Sequence, residues 1–419
     1  MIASTLSLAF RYPALHRVQW CSREVLENLQ WRRFKRLLHF ANANSPYYRH
    51  HFAEAGMTPE TIKDRTDLDR IPITTREDLR NPDRLICHGY RAEDLHCSFT
   101  TGSTGRRTRA YFDDRAWVLA KHLLKMRARL TTGVSPTDRI ALLQESETAK
   151  NRSEWRERLF RLRSFSIDQP MATLLTALRD FAPTVLYGFP SHLGRLANAV
   201  DGEMRLSRVY TSGELLPREE RRAIETAFGA PVLDVYGCTE VKEIAWQCLE
   251  RDGYHINSDW LLVEVLDDKS ARGREGPILV TALYNHAMPI IRYRLGDTGT
   301  LLDEPCACGR GFPLMRPTGG RTVDYFEIPD GSRVSPYAMT HAMEQVSGIR
   351  QFQIIQTSPN QVTVRTVVDG DQGSAVDHQI RSQLGSVLPN VAIEVSHVDS
   401  IDSVSSAKFH IVVSEVGRS

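Results

Sequence analysis

A turn rich in hydroxyl side chains is the first part of the sequence with residues suited to chemistry. Four hydroxyl residues and two glycines occupy six consecutive positions after a strand-like approach: Thr100, Thr101, Gly102, Ser103, Thr104 and Gly105. Because glycine has no Cβ, the backbone N–H groups of such a turn can face an anion. The pattern predicts a phosphate-binding loop, with an ordinary polar hairpin as the alternative. It is not a Walker A loop, because the Gly-Lys-Ser/Thr ending is missing.

A set of cysteine and histidine residues has the chemistry of a metal site. Cys248 and His255 lie in one segment, and Cys306 and Cys308 form a Cys-x-Cys pair further along the chain. Three thiols and one imidazole are the ligand set of a closed, tetrahedral structural zinc site. The chain has 7 cysteines, and in a reducing compartment a cluster of them favours metal over disulfides. The sequence predicts structural zinc; the alternative is four unrelated reduced residues.

The overall composition limits the classes of function. The chain has 419 residues, 41% of them hydrophobic, enough for two or three domains, because single cores stop growing near about 250–300 residues. Lys and Arg number 53 against 51 Asp and Glu, so the basic excess of nucleic-acid-binding proteins is missing. The first residues hold neither a basic leader nor a long apolar run. We therefore expect no signal peptide, no membrane span and a cytoplasmic location.

The hydrophobic pattern changes along the chain and indicates the elements that must position these residues. Residues 22–56 have apolar positions at i, i+3, i+4 and i+7, which predicts amphipathic helix. From residue 95 to about 320, short apolar runs alternate with helical stretches, which predicts a largely parallel sheet covered by helices. The remainder predicts a small α+β unit on a hinge near Asp324.

The predicted fold class is therefore α/β. We expect a large N-terminal domain (1–320, helical over 1–90) with mixed, mainly parallel sheets flanked by helices. A small C-terminal α+β domain (321–419) follows on the hinge and serves as a mobile cap.

Several further segments, in order, complete a recognisable set of motifs. They are "TTGSTG" in the hydroxyl-rich turn, "YTSGELLP", "LDVYGCTEV", "IIRYRLGDTG", "GGRTVDYF" and "SSAKFHIVV". Over almost its whole length the chain resembles the acyl-adenylate-forming superfamily, and within it the phenylacetate-CoA ligase branch. "NSPYYRHHFAEAG" and "LDRIPITTREDLR" near the N-terminus are also typical of this branch.

The resemblance implies roles for individual residues around ATP. The hydroxyl-rich turn would hold the phosphates, Glu240 would bind Mg²⁺, and Thr239 would lie near the α-phosphate. Tyr236 would stack on adenine, and Asp297 would accept the ribose hydroxyls. The remaining residues with implied nucleotide contacts are Ser212, Gly213, Glu214, Asp234, Gly237 and Arg321.

Lys408 is, by the same resemblance, the adenylation catalyst, a mobile positive charge that meets the charge developing on the phosphates. This chain departs from the usual motifs at Ala407, where glycine is common, and at Arg107, where the phosphate loop often has proline. Both changes leave the chemistry available and affect the fine geometry of the loops.

The acid-binding residues are less specific. The segment "YGFPSHLGRL" corresponds to the acyl-pocket region of the family, so its residues line the acid or, equally, pack in the core: Tyr187, Phe189, Pro190 and His192.

The implied reaction has two halves: a carboxylic acid and ATP give acyl-AMP and pyrophosphate, and the thiol of CoA then forms the thioester. ATP, Mg²⁺ and CoA are the expected cofactors and co-substrates, with structural Zn²⁺. An amine or a carrier-protein thiol as acceptor is the first alternative, because the fold does not distinguish these. A non-catalytic nucleotide-binding protein is the second. A homodimer and a carrier protein are partners that the sequence leaves open.

Overall fold

The computed structural model describes most of the chain, with gaps. The described residues are 12–99, 108–144, 161–167, 169–170, 171–200, 204–214, 216–251, 253–266, 275–319, 326–331, 333–334, 338–339, 342–343, 345–368, 373–398, 401 and 412–416. Backbone contacts divide the chain into two compact units: Met1–Ser98 with Ala110–Gly320, and Phe99–Arg109 with Arg321–Ser419. Each is described separately below.

Residues 12–18 of the larger unit are helical, and two further helices follow where the apolar periodicity predicts helix, over residues 22–56. Helix α1 (Arg23–Asn44) begins after Ser22, whose hydroxyl accepts from the Val25 N–H. Helix α2 (Pro46–Glu54) begins after Ser45, which caps it in the same way, with proline at the first position. Short 3₁₀ turns follow at Pro59–Thr61, Arg65–Arg70, Asp78–Arg80, Pro82–Arg84 and Ala92–Asp94.

The centre of the larger unit is one mixed sheet. Its parallel part contains β3 (Ile140–Gln144), β4 (Leu162–Ser166), β5 (Val185–Gly188), β6 (Arg208–Ser212) and β7 (Val232–Cys238). Its antiparallel part contains β8 (Lys242–Gln247), β9 (Tyr254–Ile256), β10 (Leu261–Val265), β11 (Gly276–Ala282), β12 (Ile290–Leu302) and β13 (Leu314–Gly319). The strand order is β10-β11-β12-β13-β9-β8-β7-β6-β5-β3-β4.

The mixed α/β class is confirmed, and within the described strands of the large sheet the parallel pairs lie among β3–β7. Here the described helices connect β4 to β5, β5 to β6 and β6 to β7. From β7 onward the pairs are antiparallel, because connections such as residues 239–241 are too short for a crossover helix.

The helices of the larger unit pack on both faces of this sheet. Helices α5 (Met171–Phe181), α6 (Pro190–Ala199) and α7 (Arg218–Phe228) connect the parallel strands. Helix α3 (Asp114–Val118) continues through a π-helical segment, Leu119–Leu123, into helix α4 (Leu124–Thr131). Before them, β1 (His96–Phe99) pairs with β2 (Arg109–Phe112).

The smaller unit has its own sheet and core. Strands β16 (Ile349–Ser358), β17 (Gln361–Val368), β18 (Ala392–His397) and β19 (Val412–Ser414) are arranged β18-β17-β16-β19. Helix α8 (Gly373–Val387) packs on it through Val376, Ile380 and Leu384. A short hairpin, β14 (Phe326–Glu327) with β15 (Arg333–Val334), contributes Phe326 to the same core.

Within the described residues, no helix is both long and apolar enough to cross a membrane.

Candidate active site

Tyr236 and Asp297 are brought together from distant parts of the sequence. Tyr236 lies near the end of β7 and Asp297 in the middle of β12; the tyrosine hydroxyl donates to Asp297 Oδ2 at 2.9 Å. Both residues are half-buried. The ring and the carboxylate predicted for adenine and ribose thus form one surface.

Glu240 lies in the turn that joins β7 to β8, residues 239–241, called the Glu240 tip below. Its side chain is buried, and Oε1 accepts a hydrogen bond from the hydroxyl of Tyr293 at 2.9 Å. Burial and, after it, the charge of Glu240 raise the pKa of Tyr293, so this phenol stays protonated as a donor. The Tyr284 hydroxyl, which donates to Val241 O at 2.6 Å, fixes the backbone of the tip. Sequence reasoning did not find either tyrosine, since Tyr293 acts from β12 and Tyr284 from the connection between β11 and β12.

Asp234 is buried in a hydrogen-bond network on the Tyr236 side of β7. Thr211 donates to its Oδ1, and Tyr254 donates to its Oδ2 at 2.8 Å. Its N–H donates to Gln247 Oε1 at 3.0 Å. Burial raises the pKa of this carboxyl, opposed by the two donors. In this structure Asp234 therefore supports the strands that carry Tyr236.

Glu214 links two of the motifs quoted above. Its Oε2 accepts the N–H of Ser191 at 3.0 Å, and its Oε1 accepts the Ser191 hydroxyl at 3.1 Å. This carboxylate sits at the first turn of α6 and stabilises its N-terminus. The two loops that follow β5 and β6 are thereby fixed to each other.

Tyr187 and Ser212 lie on the opposite face of the sheet from Tyr236. Their hydroxyls are joined by a 2.8 Å hydrogen bond in which Tyr187 donates. Ser212 pairs in register with Val235, whose side chain points away from that of Tyr236 because successive side chains alternate along a strand. Ser212 is thus placed with the residues expected for the acid rather than beside Tyr236.

The other residues expected near the acid surround the loop after β6. Gly213 has a φ of +86°, and a Cβ there would lie 2.7 Å from the ring of Phe189. Only glycine fits this approach. The ring centres of His192 and Phe189 lie 5.3 Å apart with the rings tilted by 43°, and Pro190 is buried at the start of α6. Gly237 is equally restricted, since a Cβ would overlap the carbonyl oxygen of Lys242.

Lys242 is a further residue that sequence reasoning missed. It follows the Glu240 tip at a φ of +60°, and its Nζ donates to Ser98 Oγ at the end of β1. Burial lowers its pKa to about 8. Its ammonium also lies 5.3 Å from the centre of the Phe112 ring. The lysine thus links the Glu240 tip to the strand that leads into the hydroxyl-rich turn.

The four predicted zinc ligands come together in the larger unit. The ligand atoms of Cys248, His255, Cys306 and Cys308 all lie within 4.8 Å of one another. Cys248 Sγ and Cys306 Sγ are 3.6 Å apart, and Cys308 Sγ is 3.3 Å from His255 Nε2. Sulfurs of a disulfide are about 2 Å apart, whereas Zn–S bonds of about 2.3 Å give a tetrahedral edge of about 3.7 Å. The donor set and its spacing fit a zinc ion.

The backbone around this cluster is tightly packed. A Cβ at Gly311 would overlap the carbonyl oxygen of Cys21, and the Gly311 N–H donates to Gln19 O at 2.9 Å. Arg310 donates to Gln19 Oε1 at 2.9 Å. The knuckle that carries Cys306 and Cys308 is thus fastened to the N-terminal segment.

Part of the predicted site lies outside the described residues. This applies to the hydroxyl-rich turn and Arg107, to Arg321 and Asp324, and to Ala407 and Lys408. Of the turn, the structure describes the strands on either side, β1 and β2. Thr239 is described and is half-buried beside Glu240.

Comparison with known proteins identifies relatives of this chain. The CapK C-terminal domain model matches residues 326–415. The phenylacetate-coenzyme A ligase of Escherichia coli is 30% identical over 339 residues, covering 74% of this chain and 74% of the relative. That of Thermus thermophilus is 29% identical over 326 residues, 73% of this chain and 72% of the relative.

A solved structure shares the fold. The 2-hydroxyisobutyryl-CoA ligase in complex with 2-HIB-AMP and CoA, in the thioesterification state, has a TM-score of 0.65 and 23% identity, with 96% of this chain and 92% of that chain covered. The curated relatives define the class as AMP-forming acid–CoA ligases. Within that class, the chain belongs to the phenylacetate-coenzyme A ligase family of adenylate-forming enzymes.

Proposed function

We propose that this protein activates a carboxylic acid with ATP and transfers the acyl group to CoA. The observation that supports it best is the surface formed by Tyr236 and Asp297, with Glu240 held by Tyr293 in the adjoining tip. These are the groups that a nucleotide and its metal require, and they lie in a chain of the phenylacetate-coenzyme A ligase family.

In the first half-reaction a carboxylate oxygen of the acid forms a bond to the α-phosphorus of ATP, and the bond to pyrophosphate breaks. The protein's task is to hold two anions together and stabilise the leaving charge. We assign adenine stacking to Tyr236 and the ribose hydroxyls to Asp297. The hydroxyl-rich turn (Thr100 to Gly105), Thr239 and Arg321 contact the nucleotide. Gly213 and Glu214 form the adjoining loop, Asp234 and Gly237 support Tyr236 from β7, and Ser212 lies with the residues assigned to the acid.

Glu240 is the residue we assign to Mg²⁺. A buried carboxylate oriented by a neutral phenol suits a hard cation that prefers oxygen ligands. When bound, Mg²⁺ supplies positive charge to the phosphate oxygens. The protein's own contribution is the fixed tip, which keeps this carboxylate facing the nucleotide surface.

We further propose that residues 321–419 form the mobile cap, which carries Lys408 for adenylation and moves for thioester formation. CoA is the proposed acceptor; an amine or a carrier-protein thiol is the alternative. We place the enzyme in the cytoplasm, where reduced cysteines and CoA are both compatible with its chemistry.

The decisive experiment is ATP–pyrophosphate exchange with a panel of aryl, aliphatic and amino acids. Lys408→Ala is expected to abolish exchange with little change in folding, because it removes the charge that meets the developing phosphate charge. Lys63→Ala changes an exposed lysine outside the site and is the matched control. An unaltered exchange rate in Lys408→Ala would contradict the assignment.

The acceptor is identified by repeating the reaction with CoA and with amines and measuring AMP release. ATP binding without exchange for any acid would instead support the non-catalytic alternative.

A structural zinc ion is the second part of the proposal. The Cys248, His255, Cys306 and Cys308 cluster is closed, with no position for a substrate, so zinc there stabilises the fold. Metal analysis of the purified protein should find about one zinc per chain. Cys308→Ser should reduce this content, whereas Cys87→Ala, a buried cysteine outside the cluster, should keep it. Well under one zinc per wild-type chain would refute the assignment.

A further inference from the structure

A group of charged and polar side chains faces Tyr187, on the side of the sheet away from Tyr236. Helix α4 contributes Lys125, whose Nζ lies 5.5 Å from the centre of the Tyr187 ring, and Arg129, whose guanidinium carbon lies 4.9 Å from it. The Tyr187 hydroxyl is held by Ser212. The residue expected to line the acid is therefore in a polar environment.

Glu243 completes this group because β8 is irregular. Tyr236 pairs with Ala245, but the next residue, Gly237, pairs with Glu243 across a register shift. Without the shift, Glu243 would share the face of Ala245; with it, the side chain turns to the other face, where it meets Lys125. Such bulges redirect individual side chains, often next to active sites.

One oxygen of Glu243 has no partner within the described parts of the chain. The side chain is 7% exposed, and Lys125 Nζ lies 3.6 Å from Oε1. Oε2 is buried and accepts no hydrogen bond from any described residue. An unpaired buried carboxylate oxygen is costly, so a donor from a ligand would stabilise it.

A second polar atom of the same kind lies on this face. Gln144 ends β3, and by alternation its side chain points the same way as Leu142, which packs in the cluster that Tyr187 contacts. Its Nε2 is buried without a partner among the residues that the structure describes. A surface built only for an apolar group would not hold two such atoms.

The position of Glu243 relates this face to the nucleotide surface. Gly237 follows Tyr236 directly, and a Cβ on Gly237 would lie 3.1 Å from Glu243 Cα. The backbone of Gly237 therefore lies between Tyr236, assigned to adenine, and Glu243.

We infer that Glu243, with Lys125 and Tyr187, forms the specificity-determining wall of the acyl pocket, and that the preferred acid carries a hydroxyl or amino group that donates to Glu243 Oε2. The inference rests on the proposed function. A site built to bind a substrate O–H or N–H strongly rejects the analogue that lacks it, because its own polar group is then left unpaired. An acid with an unsubstituted apolar group would leave Glu243 Oε2 without a hydrogen-bond donor.

The test uses matched acids that differ only in the donor group. One series is phenylacetate, 4-hydroxyphenylacetate and 4-aminophenylacetate; the other is isobutyrate, 2-hydroxyisobutyrate and 2-aminoisobutyrate. In ATP–pyrophosphate exchange, the wild-type enzyme should show a kcat/KM at least about tenfold higher for a donor-bearing member than for its unsubstituted partner. The hydroxyl and amino members show which donor is preferred.

Glu243→Leu should remove this preference, because no acceptor remains, while ATP affinity measured by equilibrium binding should stay unchanged. Glu243→Gln keeps an acceptor oxygen and should retain part of the preference, so a folding defect in the leucine variant does not decide the outcome. Glu54→Gln, an exposed carboxylate on α2, is the control and should behave as wild type.

The outcomes separate the two proposals. A wild-type enzyme that uses the unsubstituted acids equally well, or a preference that survives in Glu243→Leu, overturns the inference and leaves the ligase function standing. Absence of exchange with every acid, with Lys408→Ala no different from wild type, overturns the proposed function and this inference with it.

Discussion

Helix α4 makes ion pairs with two buried carboxylates, and the two pairs differ in how completely the carboxylate is satisfied. Arg127 donates to both oxygens of Asp259, at 2.9 and 2.6 Å, and also to Asn257 Oδ1 at 2.8 Å. Two residues earlier, Lys125 approaches one oxygen of Glu243 and leaves the other without a partner in the described chain. The carboxylate of Asp259 is satisfied, whereas that of Glu243 is half satisfied.

This difference distinguishes an ion pair that stabilises the fold, Arg127 with Asp259, from one that belongs to the candidate acid site, Lys125 with Glu243. Arg127 and Asp259 are 0% and 3% exposed, and their paired geometry fixes α4 against the turn before β10. Lys125 is 39% exposed, so its ammonium remains hydrated and its pair with Glu243 is weaker. A carboxylate kept buried and incompletely paired is the arrangement expected where a ligand supplies the missing donor.

The largest effect expected from this comparison is on stability. Arg127→Met leaves the Asp259 carboxylate buried without its cation and should lower the free energy of unfolding by about 3–5 kcal/mol. Lys125→Met, on the same helix, should cost about 1 kcal/mol or less, because the ammonium is partly solvated. Urea unfolding followed by circular dichroism measures both. Equal losses in the two variants would remove the distinction between the pairs.

The fold followed from the sequence where the pattern was local. Helix over residues 22–56 was predicted by apolar periodicity, whereas its division into α1 and α2 at Ser45 and Pro46 was not predicted. The parallel strands were predicted by alternation with helices. The antiparallel pairing after β7 was not predicted, because register and strand order depend on contacts between distant segments, such as β13 with β9.

The residues of the candidate site also fall into two groups: those marked by a local motif and those whose role depends on a contact with another strand. Tyr236, Asp297 and Glu240 could be selected because they stand in motifs, and the cysteine and histidine residues because few other roles suit three thiols and an imidazole. Tyr293, Tyr254 and Lys242 carry no such signal, since a tyrosine or lysine on a strand is ordinary until its partner is known. The bulge that turns Glu243 toward Lys125 is likewise a property of the paired strands rather than of either segment alone.

A smaller effect, on the pH dependence of stability, sharpens the comparison at Glu243. Burial raises the pKa of this carboxyl in the folded protein, with Lys125 and then Arg129 opposing the shift. In the unfolded chain it titrates near its ordinary value of 4.5. The folded state therefore binds the proton more tightly. The contribution of Glu243 to the free energy of unfolding is therefore fully present below pH 4.5, where the carboxyl is protonated. It is lost as the pH rises through the higher folded pKa, because the carboxyl then ionises in its buried position.

Glu243→Gln removes that titration and keeps the size of the side chain. Its free energy of unfolding should match the wild type near pH 4 and exceed it by about 1 kcal/mol at pH 7, where the wild type holds an incompletely paired charge. Parallel urea titrations from pH 4 to pH 7 measure the difference. A difference that stays constant over this range would mean that the carboxylate of Glu243 is as well satisfied as that of Asp259. A fully satisfied carboxylate would gain little from a further hydrogen-bond donor. The argument for a substrate donor beside Glu243 would then fail.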